Sequence, residues 1–391
     1  MANSLLNSNI ITNAALAILH QKCNFIGSIN RAYDDSFGNA GAKIGSALRI
    51  RLPNQYTIRS GATLSAQDTT ENQVTLNVTS QKGVDVNFTS NELTMNIDDF
   101  SQRILSPAMA VLAANIEADA LNMALNVYNS VNGQGAAQTY ANVLKGRKVL
   151  VDNLTPPGDW KVRMNTQDNV DLVTDTKTLF NPTKNVSEQY RDGVIGQASG
   201  FEFAENTFLG QFTRGAEAGY LVNGAGQTGS SLVVGTGTGA GNLGDVFTIA
   251  GVFRVHPETK AATSVLQQFV LSAAYSGGAG TMAISPAIVA TGATQNVSAS
   301  PANGAALTFA GAASTATGIS LAYAKDAFTF ATTDLVMPQG VDMAARKVMD
   351  GLSLRLVRQY DINNDKFPCR FDILYGYQAI RPQLAVRLHA N

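Results

Sequence analysis

The sequence predicts an α+β protein interrupted by an inserted all-β domain, and three observations carry that prediction. Residues 222–325 hold only five charged residues, Asp245, Arg254, Glu258, Lys260 and Lys325, among runs of Gly, Ala, Ser and Thr. Short apolar segments recur inside this stretch, at 232–234, 246–255, 265–275, 281–284 and 306–310, each bounded by Gly, Pro or Asn. Strands of that length between turn residues suit a small barrel or sandwich. The flanks mix helical with alternating patterns, so the chain leaves a parent domain before the neutral stretch and returns to it afterwards.

Composition sets the outer bounds. A length of 391 residues, 45% of them apolar, is enough for a sizeable core and for about two or three domains. A formal charge of −1 argues against a broad basic face for nucleic acid or anionic membranes. Cys23 and Cys369 are far apart in a chain too large to need staples, which points to reduced thiols. The apolar run at 10–19 follows no positive residue and is interrupted by Thr12 and Asn13, unlike a signal peptide. No segment reaches the roughly 18 continuous apolar residues of a membrane span.

Taken in order, residues 8–25 place Ile11, Ala15, Ile18, Leu19 and Lys22 near helical spacing, a short arm that needs a surface to pack on. Residues 44–52 alternate, with Leu48, Ile50 and Leu52 opposite Arg49 and Arg51. Val74, Leu76 and Val78 repeat the pattern, as do Val84, Val86 and Phe88. Between them, residues 53–72 are polar and rich in turn formers, which predicts projecting ribbons without a core of their own. Ser106 before Pro107 then opens a stripe of Met109, Leu112, Ile116, Ala120, Met123, Val127 and Val131. That spacing predicts a helix of about 25 residues, roughly 37 Å long, ended by Gly133, with Leu112, Ile116, Met123 and Val127 as its core face. A short helical turn is expected at 98–105, before Pro107. Further helices are expected at 140–153, 168–180 and 183–190, with a strand at 160–164. After the neutral stretch, strands are expected at 327–337, 352–360, 371–377 and 385–388.

Several patterns resemble chemical sites but lack part of the chemistry. Gly239, Gly241 and Gly244 form a GxGxxG string after a strand, yet the residues after it, from Asp245 to Val252, alternate as a strand where a pyrophosphate needs a helix N-terminus. Asp361, Asn363, Asp365 and Asp372 imitate a calcium loop, but Lys366 stands where that loop requires Gly. Asp34 with Asp35 and Asp98 with Asp99 are adjacent, not convergent, and the latter pair suits a helix start. His20, His256 and His389 have no Cys, Asp or Glu at metal-ligand spacing, and no serine sits in a nucleophile elbow. The residues therefore support no catalysis, no metal and no cofactor. Lys145, Arg147 and Lys148 read as a solvated helix face. Arg49, Arg51 and Arg59 on the ribbons are candidates for contacts between subunits, because arginine forks onto carboxylates.

Four stretches add a resemblance. They are Gln189-Tyr190-Arg191-Asp192-Gly193 with 198–201, Gly244-Asp245 with Ile249-Ala250-Gly251-Val252, 326–338 opening on Asp326-Ala327-Phe328, and Ile373-Leu374-Tyr375-Gly376 with Arg381-Pro382. In this order, behind an arm, a ribbon and a long helix, they resemble the major capsid proteins of tailed bacteriophages with the Hong Kong 97 fold. More narrowly, the chain is similar to the phage P-twenty-two coat-protein family, which carries an inserted β-barrel. The resemblance implies an N-terminal arm at 1–40, an extended loop with flanking strands at 41–95 and a peripheral domain with spine helix at 96–139. An axial domain at 140–221, the inserted barrel at 222–325 and return strands at 326–391 would follow.

That likeness implies a non-enzymatic subunit that assembles with itself, as hexamers and pentamers, into an icosahedral shell around double-stranded DNA. Scaffolding and portal proteins would be its partners, DNA would be touched weakly, no membrane would be involved, and the virion would be assembled in the host cytoplasm. Arm and ribbon suit such a subunit, since both need a neighbour; Ile18 and Phe25 on the arm join the ribbon arginines as interface candidates. The competing readings are a phage tail, fibre or adhesin module, suggested by the Ser, Thr and Gly-rich residues 276–317, and a nucleotide-dependent enzyme resting on the glycine string.

Overall fold

In the computed structural model, which describes residues 12, 15, 23–31, 47–59, 61–64, 66–69, 71–89, 106–133, 135–176, 196–349 and 352–390, alternating sequence becomes strand close to where it is expected. The three N-terminal alternating runs form β1 (Ala47–Arg51), β2 (Gln73–Asn77) and β3 (Ser80–Thr89). The apolar stripe forms α1 (Ser106–Leu121), which tightens into a 3-10 turn at Asn122–Asn126. The expected 25-residue helix is thus corrected to 16 residues plus that turn. Val127 lies beyond it, and Val131 belongs to β4 (Ser130–Asn132). The cause is tertiary: Asn129 and the following residues pair with the C-terminal strand, where Asn129 Nδ2 donates to Ala385 O at 2.9 Å and its own carbonyl accepts from Arg387 N.

α2 (Tyr140–Asp152) follows, capped by Thr139 Oγ1, which accepts from Asn142 N. Then come β5 (Trp160–Met164) and α3 (Thr166–Thr176). Asp171 and Asp175 of α3 accept from Gln138 N and Tyr140 N at 3.2 and 2.8 Å, so two carboxylates sit at the positive end of α2. Next are β6 (Gln197–Ala198), β7 (Phe201–Glu205), β8 (Gln211–Thr213), β9 (Leu221–Val222), β10 (Gly229–Gly235), β11 (Val246–Val255), β12 (Ala262–Leu271), β13 (Gly280–Ile288) and β14 (Leu307–Phe309). The chain closes through β15 (Ala316–Ala324), β16 (Phe328–Thr333), β17 (Met343–Met349), β18 (Leu352–Arg358), β19 (Lys366–Ala379) and β20 (Ala385–His389). The expected helix at 183–190, the turn at 98–105, the acid pairs at 34–35 and 98–99, His20 and Ile18 lie outside the described residues.

The chain divides into two compact units. The first comprises Met1–Ile50, Gln73–Leu121 and Phe328–Gln378. Its sheet has the order β16-β19-β18-β17, with β3 also paired along β19. Alternate residues Leu354, Leu356, Phe371, Ile373 and Tyr375 are buried, as are Met109, Leu112, Ile116 and Ala120 on α1. Asp119 on α1 accepts from Tyr375 Oη and lies 2.7 Å from Lys82 Nζ. Glu117, a charged residue on the same helix, is fully buried and accepts from the backbone N–H groups of Phe25 and Ile26.

The second unit comprises Arg51–Asn72, Asn122–Ala327 and Ala379–Asn391. One sheet runs β4-β20-β15-β5-β7-β6, with β8 paired to β15. α2 packs on β20 at Gly146, where a Cβ would stand 2.9 Å from Leu388 Cδ2, so any larger residue would require that side chain to shift. The other sheet runs β14-β11-β12-β13-β10-β9, and a bridge between Leu221 and Ala306 brings its two ends together. Its cluster of Tyr220, Leu232, Phe247, Phe269, Leu271 and Met282 is fully buried. The neutral sequence stretch outruns this sheet: residues 316–324, expected within the β-domain, form β15, which pairs with β5 and β20. Low charge misplaced that boundary, because a strand buried in the middle of a sheet is as poor in charge as a neutral domain.

Candidate assembly surfaces

Beyond Arg51 the chain runs out as a ribbon, and among the described residues its strands β1 and β2 pair with each other alone. Leu52 N donates to Asn72 O at 2.8 Å, and Thr57 is tied to Gln67 across the ribbon at 2.9 Å. Ile58 is 94% exposed and Leu64 84%, with Tyr56 at 57%. A tip that displays aliphatic side chains to water lacks a covering surface. Arg49, Arg51 and Arg59 are exposed. Arg51 pairs with Glu71 at 3.2 Å, and Arg59 donates to the carbonyls of Gly61 and Thr63 at the ribbon tip. Phe25 is different. Expected at a subunit contact, it is wholly buried within its own subunit, with its ring edge-on to Phe328 at 5.6 Å. Leu112, Ile116, Met123 and Val127 are all buried, although Met123 sits in the 3-10 turn and Val127 after it.

A second projection is the β18–β19 hairpin. Ile362 at its tip is 79% exposed. Asp361 accepts from Asn363 N and Asn364 Nδ2, which makes an Asx turn of the calcium-like sequence. Asp372 is remote from that turn in function: fully buried on β19, it accepts from Arg355 and Arg370, each at 2.7 Å. Among the described residues no group of three or more His, Cys, Asp or Glu converges on a metal position.

Within the second unit the two sheets are joined by specific contacts. Gln268 on β12 pairs with both backbone groups of Ser130, at 2.9 Å each. Arg254 on β11 reaches Asp152 at 3.0 Å, and Asp152 also holds Lys148 at 2.7 Å. Tyr128, Val246 and Val270 pack together, and Arg387 Nη2 donates to Gly244 O at 2.7 Å. Lys148 and Arg147 are thereby both engaged, Arg147 lying over the Trp160 ring and donating to Ser199 O. His389 is buried against Thr317, and burial, aided by Arg387, pushes its imidazole down to about 3. It remains neutral and is no acid–base candidate.

Glu217 is the residue that sequence reasoning missed. It is 2% exposed, and burial first, then Asp245, push its carboxyl up to about 8. No sequence motif marks it; only the crossing of two distant segments places it beside Asp245. The glycine string lies at that crossing, followed by β11 as the alternation indicates.

Residues 30–389 match the family described as P22 coat protein, gene protein 5. No curated protein matches the chain. Solved structures similar to it include one from Mycobacterium phage Che8, at 11% identity and TM-score 0.48, covering 92% of this chain and 89% of that one. Another is the mature capsid of bacteriophage PhiM1, at 11% identity and TM-score 0.44, covering 89% and 82%. A virus-like particle from Pyrococcus furiosus is similar at 8% identity and TM-score 0.41, covering 97% and 98%. The family match, spanning nearly the whole chain, carries the assignment.

Proposed function

The chain belongs to the P22 coat-protein family, and we propose that its shell is held together by the ribbon of Arg51–Asn72 lapping over a neighbouring copy. It is a phage major capsid protein and forms the head shell; its role is structural and its place is the virion. The tail, fibre and adhesin alternative gives way to that family membership.

In our reading the first unit is the peripheral domain of a Hong Kong 97-like fold, with α1 as a shortened spine helix. The seven-stranded sheet is the axial domain. The six-stranded sheet is the inserted barrel, which ends near Ala310. Residues 1–40 would be the arm, 41–95 the extended loop and its strands, 96–139 the peripheral segment and 140–221 the first axial segment. The shell would enclose double-stranded DNA, touched weakly because the chain is near neutral. It would assemble in the host cytoplasm as hexamers and pentamers with a scaffolding protein and a portal.

The observation that carries this reading is the pair of almost fully exposed aliphatic side chains, Ile58 and Leu64, on the ribbon beyond β1 and β2, whose buried residues Ile50 and Leu76 lie on those strands and not on the ribbon. Such a ribbon is marginal alone. Arg49, Arg51 and Arg59 would meet carboxylates of the neighbour at the same contact. Expression alone and with a scaffolding protein, followed by sedimentation and electron microscopy, tests it. Shells of uniform wall are expected; a subunit that stays monomeric or trimeric in both conditions would overturn it.

A further inference from the structure

The glycine string has a physical purpose that lies in how residues 214–218 cross the loop at 237–245. Ala216 N donates to Ala240 O at 2.9 Å, and Ala218 and Thr238 exchange two bonds of 3.0 Å. A Cβ on Gly239 would stand 2.0 Å from Ala216 O, and one on Gly215 would stand 2.5 Å from Ala240 O. One on Gly241 would meet Leu271 Cδ1 and Glu217 Oε1 at 2.6 and 2.7 Å. The first two contacts are with backbone that cannot move aside, so the crossing requires glycine at 215 and 239, whereas at 241 the neighbours are side-chain ends.

The crossing encloses two carboxyl groups. Asp245 is fully buried, and both its oxygens accept from Gly215 N, at 3.2 and 3.1 Å. Neither oxygen of Glu217 meets a hydrogen-bond donor. Yet Glu217 Oε2 and Asp245 Oδ2 lie 2.8 and 2.9 Å from one point, the position a Cβ would take on Gly215. The two carboxyls are therefore neighbours on the same side of that glycine's backbone, with these oxygens no more than about 6 Å apart.

The surrounding charges offset Glu217 only in part. Arg214, on the same segment, gives its Nη groups to Gly311 O and to the backbone carbonyl of Glu217, leaving Nε 3.6 Å from Glu217 Oε2. Arg387, from β20, is fully buried and donates to Gly244 O. His389, also from β20, is neutral and paired with Thr317. The hydroxyls of Tyr220 and Tyr275 donate to Gly239 O and Gly278 O. Two ionised carboxylates in such an enclosure repel, and the cheapest relief is a proton between them.

We propose that Glu217 and Asp245 share one proton, which clasps the strand entering the six-stranded sheet to the β10–β11 loop and makes the attachment of that β-domain loosen in alkaline solution. The proton is the ligand; its acceptor is Asp245 and its carrier Glu217. The sign follows from linkage. The folded state holds a proton that the unfolded chain releases near the ordinary carboxyl value, so the clasp is complete below that value. Its contribution is lost as pH rises toward about 8.

The full-length, unassembled subunit provides the test. In neutral solution the infrared spectrum should contain the carbonyl band of a protonated carboxylic acid, absent from Glu217→Gln. Urea unfolding at a series of pH values should show the unfolding constant of the unaltered protein rising about tenfold per pH unit relative to Glu217→Gln, between about pH 5 and 8. Amide exchange in β10 and β11 should quicken over the same range. Absence of the acid band overturns the proposal whether or not the variant folds. So do parallel pH profiles for the two proteins. A requirement for sodium or calcium in place of the proton, detected as cation-dependent stability at neutral pH, overturns it as well.

Discussion

Replacing Ile58 and Leu64 with serine removes the two most exposed aliphatic side chains from the ribbon. Neither packs within the subunit, being 94% and 84% exposed. The unassembled protein should therefore unfold within about 0.5 kcal/mol of the unaltered one. In the shell the same side chains would be covered. Full burial of an aliphatic side chain is worth about 1.5–3 kcal/mol, so the double change forfeits about 4 kcal/mol per ribbon. At 1.4 kcal/mol per tenfold, that weakens each lapped contact by about a thousandfold. Light scattering and sedimentation with a scaffolding protein would locate the concentration at which shells appear, which should rise by two to three orders of magnitude on that estimate. An unchanged threshold would refute the lapping role of the ribbon. A large loss of subunit stability would show that these side chains pack at home.

Other consequences can be measured on the same subunit. Gly239→Ala places a Cβ 2.0 Å from Ala216 O at φ +86, whereas Gly304→Ala has φ +77 and open space. Urea unfolding should show a loss above about 4 kcal/mol for the first and about 1–2 kcal/mol for the second. Arg254→Ala should cost about 1 kcal/mol, less in high salt, because its partner Asp152 is partly exposed. Burial is the largest single influence on Asp152 and acts upward, but Lys148 and Arg254 together hold its carboxyl below the usual range. Its contribution is therefore present above about pH 4 and is lost as pH falls through the depressed folded value, a loss that Arg254→Ala should reduce in acid titration. Cys23 and Cys369, pushed up to about 12 chiefly by burial, should resist alkylation at pH 8 until urea exposes them, when both should label.

Local pattern and tertiary structure divide the candidate surfaces between them. The ribbon was legible because β1 and β2 alternate around a polar stretch too long for a tight turn, and Arg49, Arg51 and Arg59 are indeed exposed. Phe25 was not: an apolar residue at the end of an arm reads alike whether it fills a neighbour's groove or its own core, and Phe328, 303 positions away, decides it. Glu117 was hidden for the same reason, since its partners are backbone N–H groups that carry no sequence signature.

By itself the sequence determined periodicity, and with it the strands β5, β11 and β20, the start of α1, and the absence of a broad charge. It also flagged the glycine string and rejected a nucleotide there, because a strand follows. The end of α1 belonged to the tertiary structure, since Val127 and Val131 fit a helical stripe and a buried strand equally well, and β20 supplied the hydrogen bonds that chose the strand. The far edge of the neutral stretch was settled in the same way, as β15 lies between β5 and β20. The meaning of the glycines also came from the fold: only when residues 214–218 cross the loop at 237–245 do Glu217 and Asp245 meet, and closeness in space between segments distant in sequence is what one-dimensional periodicity cannot contain.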